Sequence, residues 1–162
     1  MRFRPCVIAL AVLFAVGHAR AAGTIYGLLA DFSCVSYPNI TGAMGITGFS
    51  FGGSTNAATG RGQLADITIT KPIDNCSPRL FQFLASGRII HSVTIVVLDS
   101  NSRELLRIDL TDVFVSGVKG GDVTADSAIP SEQIAFRYNR ITLEYVPTHT
   151  VAGWDVSRGT AI

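Results

Sequence analysis

Basic blocks, metal-ligand spacings and long apolar runs are all scarce in this 162-residue chain. Only 15% of its residues are charged, and its lysines and arginines never gather into a run. Without such a run the chain has nothing to track a phosphate backbone or an anionic lipid surface, which argues against nucleic-acid and membrane-surface partners. Its three histidines, His18, His91 and His149, stand far apart. No H-x-H, H-E-x-x-H or C-x-x-C spacing occurs, so no metal site is expected. The carboxylates Asp66, Asp74, Asp99, Asp109, Asp112, Asp122 and Asp126 are scattered, mostly at expected turns or solvent faces. Asp74, just ahead of a helix signal, reads as a local backbone acceptor. No glycine-rich phosphate cradle is present, and neither a cofactor nor an enzymatic activity is expected.

Apolar length is confined to the N-terminus. Arg2 and Arg4 precede an almost unbroken apolar run from Cys6 to Val16, and Ala19-Arg20-Ala21 follows. The run is shorter than the roughly 20 residues of a permanent membrane span. Basic start, short apolar core and small-x-small site are the marks of a secretory signal. Residues 1–21 are therefore expected to be cleaved between Ala21 and Ala22, placing the protein in the periplasm or outside the cell. Residues 22–162 suit one domain, since domains commonly run about 100–150 residues. Arg2, Arg4 and Arg20 leave with the leader, so ten basic residues remain against twelve acidic ones.

Cysteine is nearly missing too: beyond Cys6 there are only Cys34 and Cys76. In an oxidising compartment such a pair is a disulfide candidate. A bridge closing that loop stabilises by about 4 kcal/mol in the chain-entropy account. Two buried thiols packed as small apolar groups are the alternative reading.

What the chain does have is alternation. Strands are expected over Thr24–Phe32, Gly42–Phe51, Leu64–Thr70, His91–Leu98 and Leu105–Val115, with Ile67 and Ile69 opposite Thr68 and Thr70. Val93 to Leu98 is apolar on both parities and is expected to be covered on both faces. Ile134, Phe136 and Tyr138 share one parity while Ile141, Leu143 and Tyr145 share the other. The slip at Asn139-Arg140 marks a bulge in one strand or a turn between two. Gly52–Gly62 and Gly117–Ser131, rich in small and polar residues, read as loops, the first of them flexible. One helix is expected over Pro78–Ser86, with Ser77 as N-cap, Pro78 at the first position and Gly87 as the left-handed stop. Leu80, Phe81 and Leu84 form its apolar face, with Phe83 at the margin. Many short strands with one helix predict a mainly β, single-domain barrel.

Gly48-Phe49-Ser50-Phe51-Gly52 matches the G-x-S-x-G pattern of a serine nucleophile elbow. An elbow needs a helix directly after the serine, whereas Gly-Gly-Ser-Thr-Asn follows here and is poor helix-forming sequence. A secreted hydrolase using Ser50 and His149 is therefore the weakest reading of this stretch.

Four blocks carry a resemblance. "DITITKPIDNCSPRLFQFLASG", Asp66 to Gly87, has a strand ending in Lys71, then Asp74, then Ser77-Pro78-Arg79-Leu80 opening a helix, then Gly87. "LRIDLTDVFVSGVKGG" (Leu106–Gly121), "PSEQIAFRYNRITLEYVP" (Pro130–Pro147) and "GWDVSRGTAI" (Gly153–Ile162) follow in order. Together they resemble the haemolysin-coregulated protein family, Hcp, the tube protein of type VI secretion. The resemblance implies a β-barrel of two antiparallel sheets with one short flanking helix, and no catalytic site. It implies head-to-tail packing of six copies into a ring, rings stacked into a tube, and carriage of effector proteins or contact with other secretion components. The leader departs from that family, whose tube assembles in the cytoplasm. A monomeric exported binding module that kept the barrel but not the assembly is the second reading.

Overall fold

The structure, a computed structural model, describes residues 23–34, 40–120 and 130–162. The expected leader, with Ala21 and Ala22, lies outside the described residues, as does most of the expected loop after Gly120. In chain order the strands are β1 (Ile25–Leu29), β2 (Ala43–Ile46), β3 (Gly48–Ser50), β4 (Gly53–Thr55), β5 (Gly62–Leu64) and β6 (Ile67–Pro72). Helix α1 (Ser77–Ser86) leads into β7 (Ile89–Leu98), β8 (Glu104–Gly120) and β9 (Ser131–Tyr145). A 3₁₀ turn (Val146–Thr148), β10 (Thr150–Asp155) and β11 (Thr160–Ala161) complete the chain.

Nine strands make one antiparallel sheet in the order β11-β10-β9-β8-β7-β1-β2, and β6 branches from β9 with β3 beyond it. β4 and β5 form a separate hairpin. The fold is thus mainly β with one helix, but not two sheets of comparable size. No ladder of hydrogen bonds closes the large sheet among the described residues. Its ends nevertheless meet: β2 at one end and β3 on the branch are separated only by Thr47, so the sheet is rolled. Inside the roll lie Met44, Ile67, Ile69, Ile95, Ile108, Leu110, Ile134 and Phe136, all fully buried. A smaller cluster of Tyr26, Ala43 and Val96 covers the other face of β7, matching its two apolar parities.

β9 spans Asn139-Arg140 as one continuous strand, and its register with β8 holds from Tyr145 to Phe136. The one-residue shift sits instead in β8, between Val115 and Gly117. The bulged Ser116 donates through Oγ to Asp66 Oδ2 at 2.6 Å, and Arg137 Nε reaches Asp66 Oδ1 at 3.2 Å. The parity of β9 switches because its outer neighbour changes: residues 131–136 pair with β6 and residues 140–145 with β10. Opposite the switch, Asp112 of β8 takes a left-handed φ of 53°, and β8 changes face there too. Alternation in sequence shows a slip, but not which of two paired strands bends.

Four other expectations are corrected. The Gly52–Gly62 segment is largely the β4–β5 hairpin, because Asn56 organises its turn: Oδ1 accepts from the N–H groups of Ala58 and Thr59. β8 runs on to Gly120, past the expected loop start at Gly117. In α1 the buried apolar residues are Leu80 and Phe83, and Phe81 is 60% exposed. Residues three apart face the same side; the helix packs beside β8, and both side chains belong to the main core cluster. Gly87 stops the helix at φ 62° as expected, but Cys76 holds the N-cap position without a side-chain cap. Ser77 is the first helical residue, and its hydroxyl is used elsewhere.

Candidate self-association surface

The β4–β5 hairpin is exposed at every residue and has no side-chain core of its own. It is tied at its base, where Ala65 N–H donates to Gly52 O at 2.8 Å. A Cβ on Gly53 would stand 2.7 Å from Gln63 O, so the two strands approach this closely only with glycine there. At the foot of the hairpin Phe51 is 49% exposed and Leu64 43% exposed. Phe51 stacks on Phe49 with ring centroids 6.0 Å apart. Phe51 and Leu64, with Gly52 and Gly53, form one wall of a groove of about 350 Å³ whose other wall is Tyr138, Ile141 and Leu143 of β9 with Ala152, Gly153 and Trp154 of β10. Exposed apolar groups gathered in a concavity are the usual mark of a protein-contact surface. Tyr138 holds its place by donating to Ala65 O at 3.1 Å, and burial, with Asp66 nearby, pushes its phenol pKa up.

A buried polar cluster fixes β6, β9 and α1 relative to one another. Lys71, at the end of β6, is fully buried. Its Nζ lies 2.7 Å from Asp74 Oδ1, 2.9 Å from Glu132 Oε1 and 2.8 Å from Pro72 O. Ser77 Oγ donates to Glu132 Oε1 at 2.6 Å and accepts the Asp74 N–H at 2.9 Å. Asp74 Oδ1 also accepts the N–H of Cys76 at 2.8 Å, the backbone-acceptor role expected of it. The ammonium thus uses its donors on two carboxylates and a carbonyl, the pairing a buried charge requires. Beside the cluster, Cys34 and Cys76 form a disulfide with Cα atoms 5.5 Å apart, joining the segment after β1 to the start of α1. Phe32 packs on Phe83 there, with Arg79 and Arg88 over the two rings.

Sequence reasoning found Lys71, Asp74 and Ser77 as letters of a family block but did not find Glu132. The signal was present: Glu132 shares parity with Ile134, Phe136 and Tyr138, so it points with the core residues and needs a buried cation. Ser50 and His149 do not come together. Ser50 pairs with Thr68, which pairs with Ala135, whereas Thr150, next to His149, pairs with Tyr145. Ten residues of β9 separate those levels, roughly 30 Å of strand. His149 Nδ1 lies 3.0 Å from Glu144 Oε1, and both Ser50 and His149 are exposed.

The family described as "Type VI secretion system effector, Hcp" matches residues 39–145. The chain belongs to the Hcp family. Solved structures with the same fold include Hcp1 from Salmonella typhimurium, with 21% identity and a TM-score of 0.77 over 87% of this chain and 99% of that one. A type VI secretion system effector from Yersinia pestis gives 21% identity and a TM-score of 0.71, covering 82% and 99% of the two chains. Secreted protein Hcp3 from Pseudomonas aeruginosa gives 18% and 0.65, covering 83% and 98%. No curated protein sequence matches the chain. Hcp membership makes this a type VI secretion tube-family protein, structural in kind and not an enzyme, from a family whose members are secreted.

Proposed function

We propose that this Hcp protein is an exported structural subunit that packs head to tail into six-membered rings, which stack into tubes and carry effector proteins. In this reading residues 1–21 are a leader cleaved between Ala21 and Ala22. Residues 22–162 are the single working domain, a barrel completed through the β2–β3 connection, in the periplasm or outside the cell. The observation that carries the reading is the apolar groove at the foot of the β4–β5 hairpin, on a chain of the Hcp family. A projecting hairpin beside a concave apolar surface is a heterologous contact: what one subunit presents differs from what it receives, and such contacts close into rings when the rotation allows. Filling the groove with a neighbouring copy removes Phe51 and Leu64 from water, at about 25 cal/mol per Å² of apolar area buried. The test is the mass of the purified, oxidised mature protein by size-exclusion chromatography with light scattering, with electron microscopy for rings. Six times the subunit mass is expected. A strictly monomeric protein at high concentration refutes the ring and favours a monomeric exported binding module instead.

A further inference from the structure

Beside the apolar groove, and separate from it in chemistry, lies a basic cleft of about 280 Å³. Arg61 at the hairpin turn and Arg158 at the β10–β11 turn flank Trp154 there. Gly60 and Gly159, at φ 66° and 67°, make the two turns and bring no side chain into the cleft. Among the described residues the Arg61 guanidinium has no hydrogen-bond or ion-pair partner. Arg158 Nε stands 3.9 Å from Asp155 Oδ2, and its side chain is 74% exposed. Asp155 does not cancel the cleft's charge, because its carboxylate is already occupied. It accepts from Ser157 Oγ at 2.6 Å, from Arg158 N–H at 2.9 Å and from Arg140 Nε at 3.0 Å. Arg140 balances Asp155, leaving the guanidiniums of Arg61 and Arg158 as an excess of two positive charges.

We propose that this cleft binds a carboxylate, the aspartate or glutamate side chain of an extended segment of a partner protein, with an adjacent apolar residue laid on the Trp154 indole. Two guanidiniums offer planar donor pairs that match a carboxylate, and the indole supplies the apolar face that a bare anion site lacks. This inference goes beyond the ring reading and does not depend on it, since every cleft residue belongs to one subunit.

Trp154 is the chain's single tryptophan; it lines the apolar groove as well as the cleft, so a fluorescence change counts as cleft binding only where light scattering shows no change in assembly. The mature protein is titrated with the blocked peptide acetyl-Leu-Asp-Phe-amide, its asparagine counterpart, and inorganic phosphate, with light scattering on the same samples to record assembly. A saturable change with the aspartyl peptide is expected, weakened at least tenfold with the asparaginyl peptide and at least tenfold in both Arg61→Ala and Arg158→Ala. Affinity should fall as salt rises, because counterions compete for exposed guanidiniums. Equal binding of the two peptides, unchanged binding by either arginine variant, or a response to phosphate without one to the aspartyl peptide overturns the proposal. Ring formation with no peptide response sinks this inference alone; a peptide response from a monomer sinks only the ring.

Discussion

Replacing Lys71 with methionine tests what holds α1 to the sheet. The substitution keeps most of the volume and removes one positive charge from a site where the wild-type side chain is fully buried. Asp74 and Glu132, at 2.7 and 2.9 Å from Nζ, would then face each other with no cation between them. Removing one partner of a buried ion pair costs about 3–5 kcal/mol, because the remaining charge has lost both water and its counter-ion. For a domain near this size that corresponds to a fall in Tm of roughly 10–15 °C. Glu132→Gln should be much milder, about 1 kcal/mol, because it leaves one ammonium opposite one carboxylate and keeps an acceptor for Ser77. Urea denaturation followed by far-ultraviolet circular dichroism measures both. Equal costs for the two variants, or a loss under 1 kcal/mol for Lys71→Met, would refute an account based on charge balance and leave only side-chain packing.

Three further outcomes follow from particular contacts. The mature protein should show no free thiol when denatured without reductant, and the Cys34→Ser/Cys76→Ser variant should lose about 4 kcal/mol for opening a loop of sequence separation 42; a titratable thiol in the native preparation contradicts the bridge. Leu64→Asp should dissociate any ring while leaving the circular dichroism spectrum and Tm nearly unchanged, since Leu64 packs outside the core; rings that persist place the subunit contact elsewhere. The Ser157 hydroxyl, the Arg158 N–H and the Arg140 guanidinium hold the Asp155 carboxyl well below the usual carboxylate range. A depressed folded-state pKa stabilises above the unfolded value, about 3.9, and that contribution is lost as pH falls through the folded value. The stability gap between wild type and Asp155→Asn should therefore be flat from neutral pH down to about pH 5 and shrink below about pH 4; a gap that widens in acid reverses the sign and defeats the assignment.

Much of the secondary structure was legible because it depends on near neighbours. Alternation located the main strands, and Gly87 ended the helix where a left-handed residue is needed. The hairpin at residues 53–64 escaped because its strands are three residues each and wholly exposed, so no apolar period marks them. Its turn is held by the Asn56 side chain, a local bond that composition conceals. The face of α1 was misjudged by one residue, since Phe81 and Phe83 are equally apolar and only the position of β8 chooses between them. Of the buried cluster, three members fell within seven residues of sequence. Glu132 sits 61 residues beyond Lys71, and only the β6–β9 register sets them side by side.

The sequence alone determined that this is a one-helix, mainly β chain of the Hcp kind, because periodicity and short ordered blocks survive in a linear string. Only the tertiary structure decided that the sheet is rolled through Thr47, that β9 trades β6 for β10 midway, and that Lys71 meets its carboxylates. It alone decided, too, that Arg61, Trp154 and Arg158 converge. Each of these depends on which strand lies beside which, and pairing is fixed by the packing of distant residues rather than by any stretch of the chain read by itself.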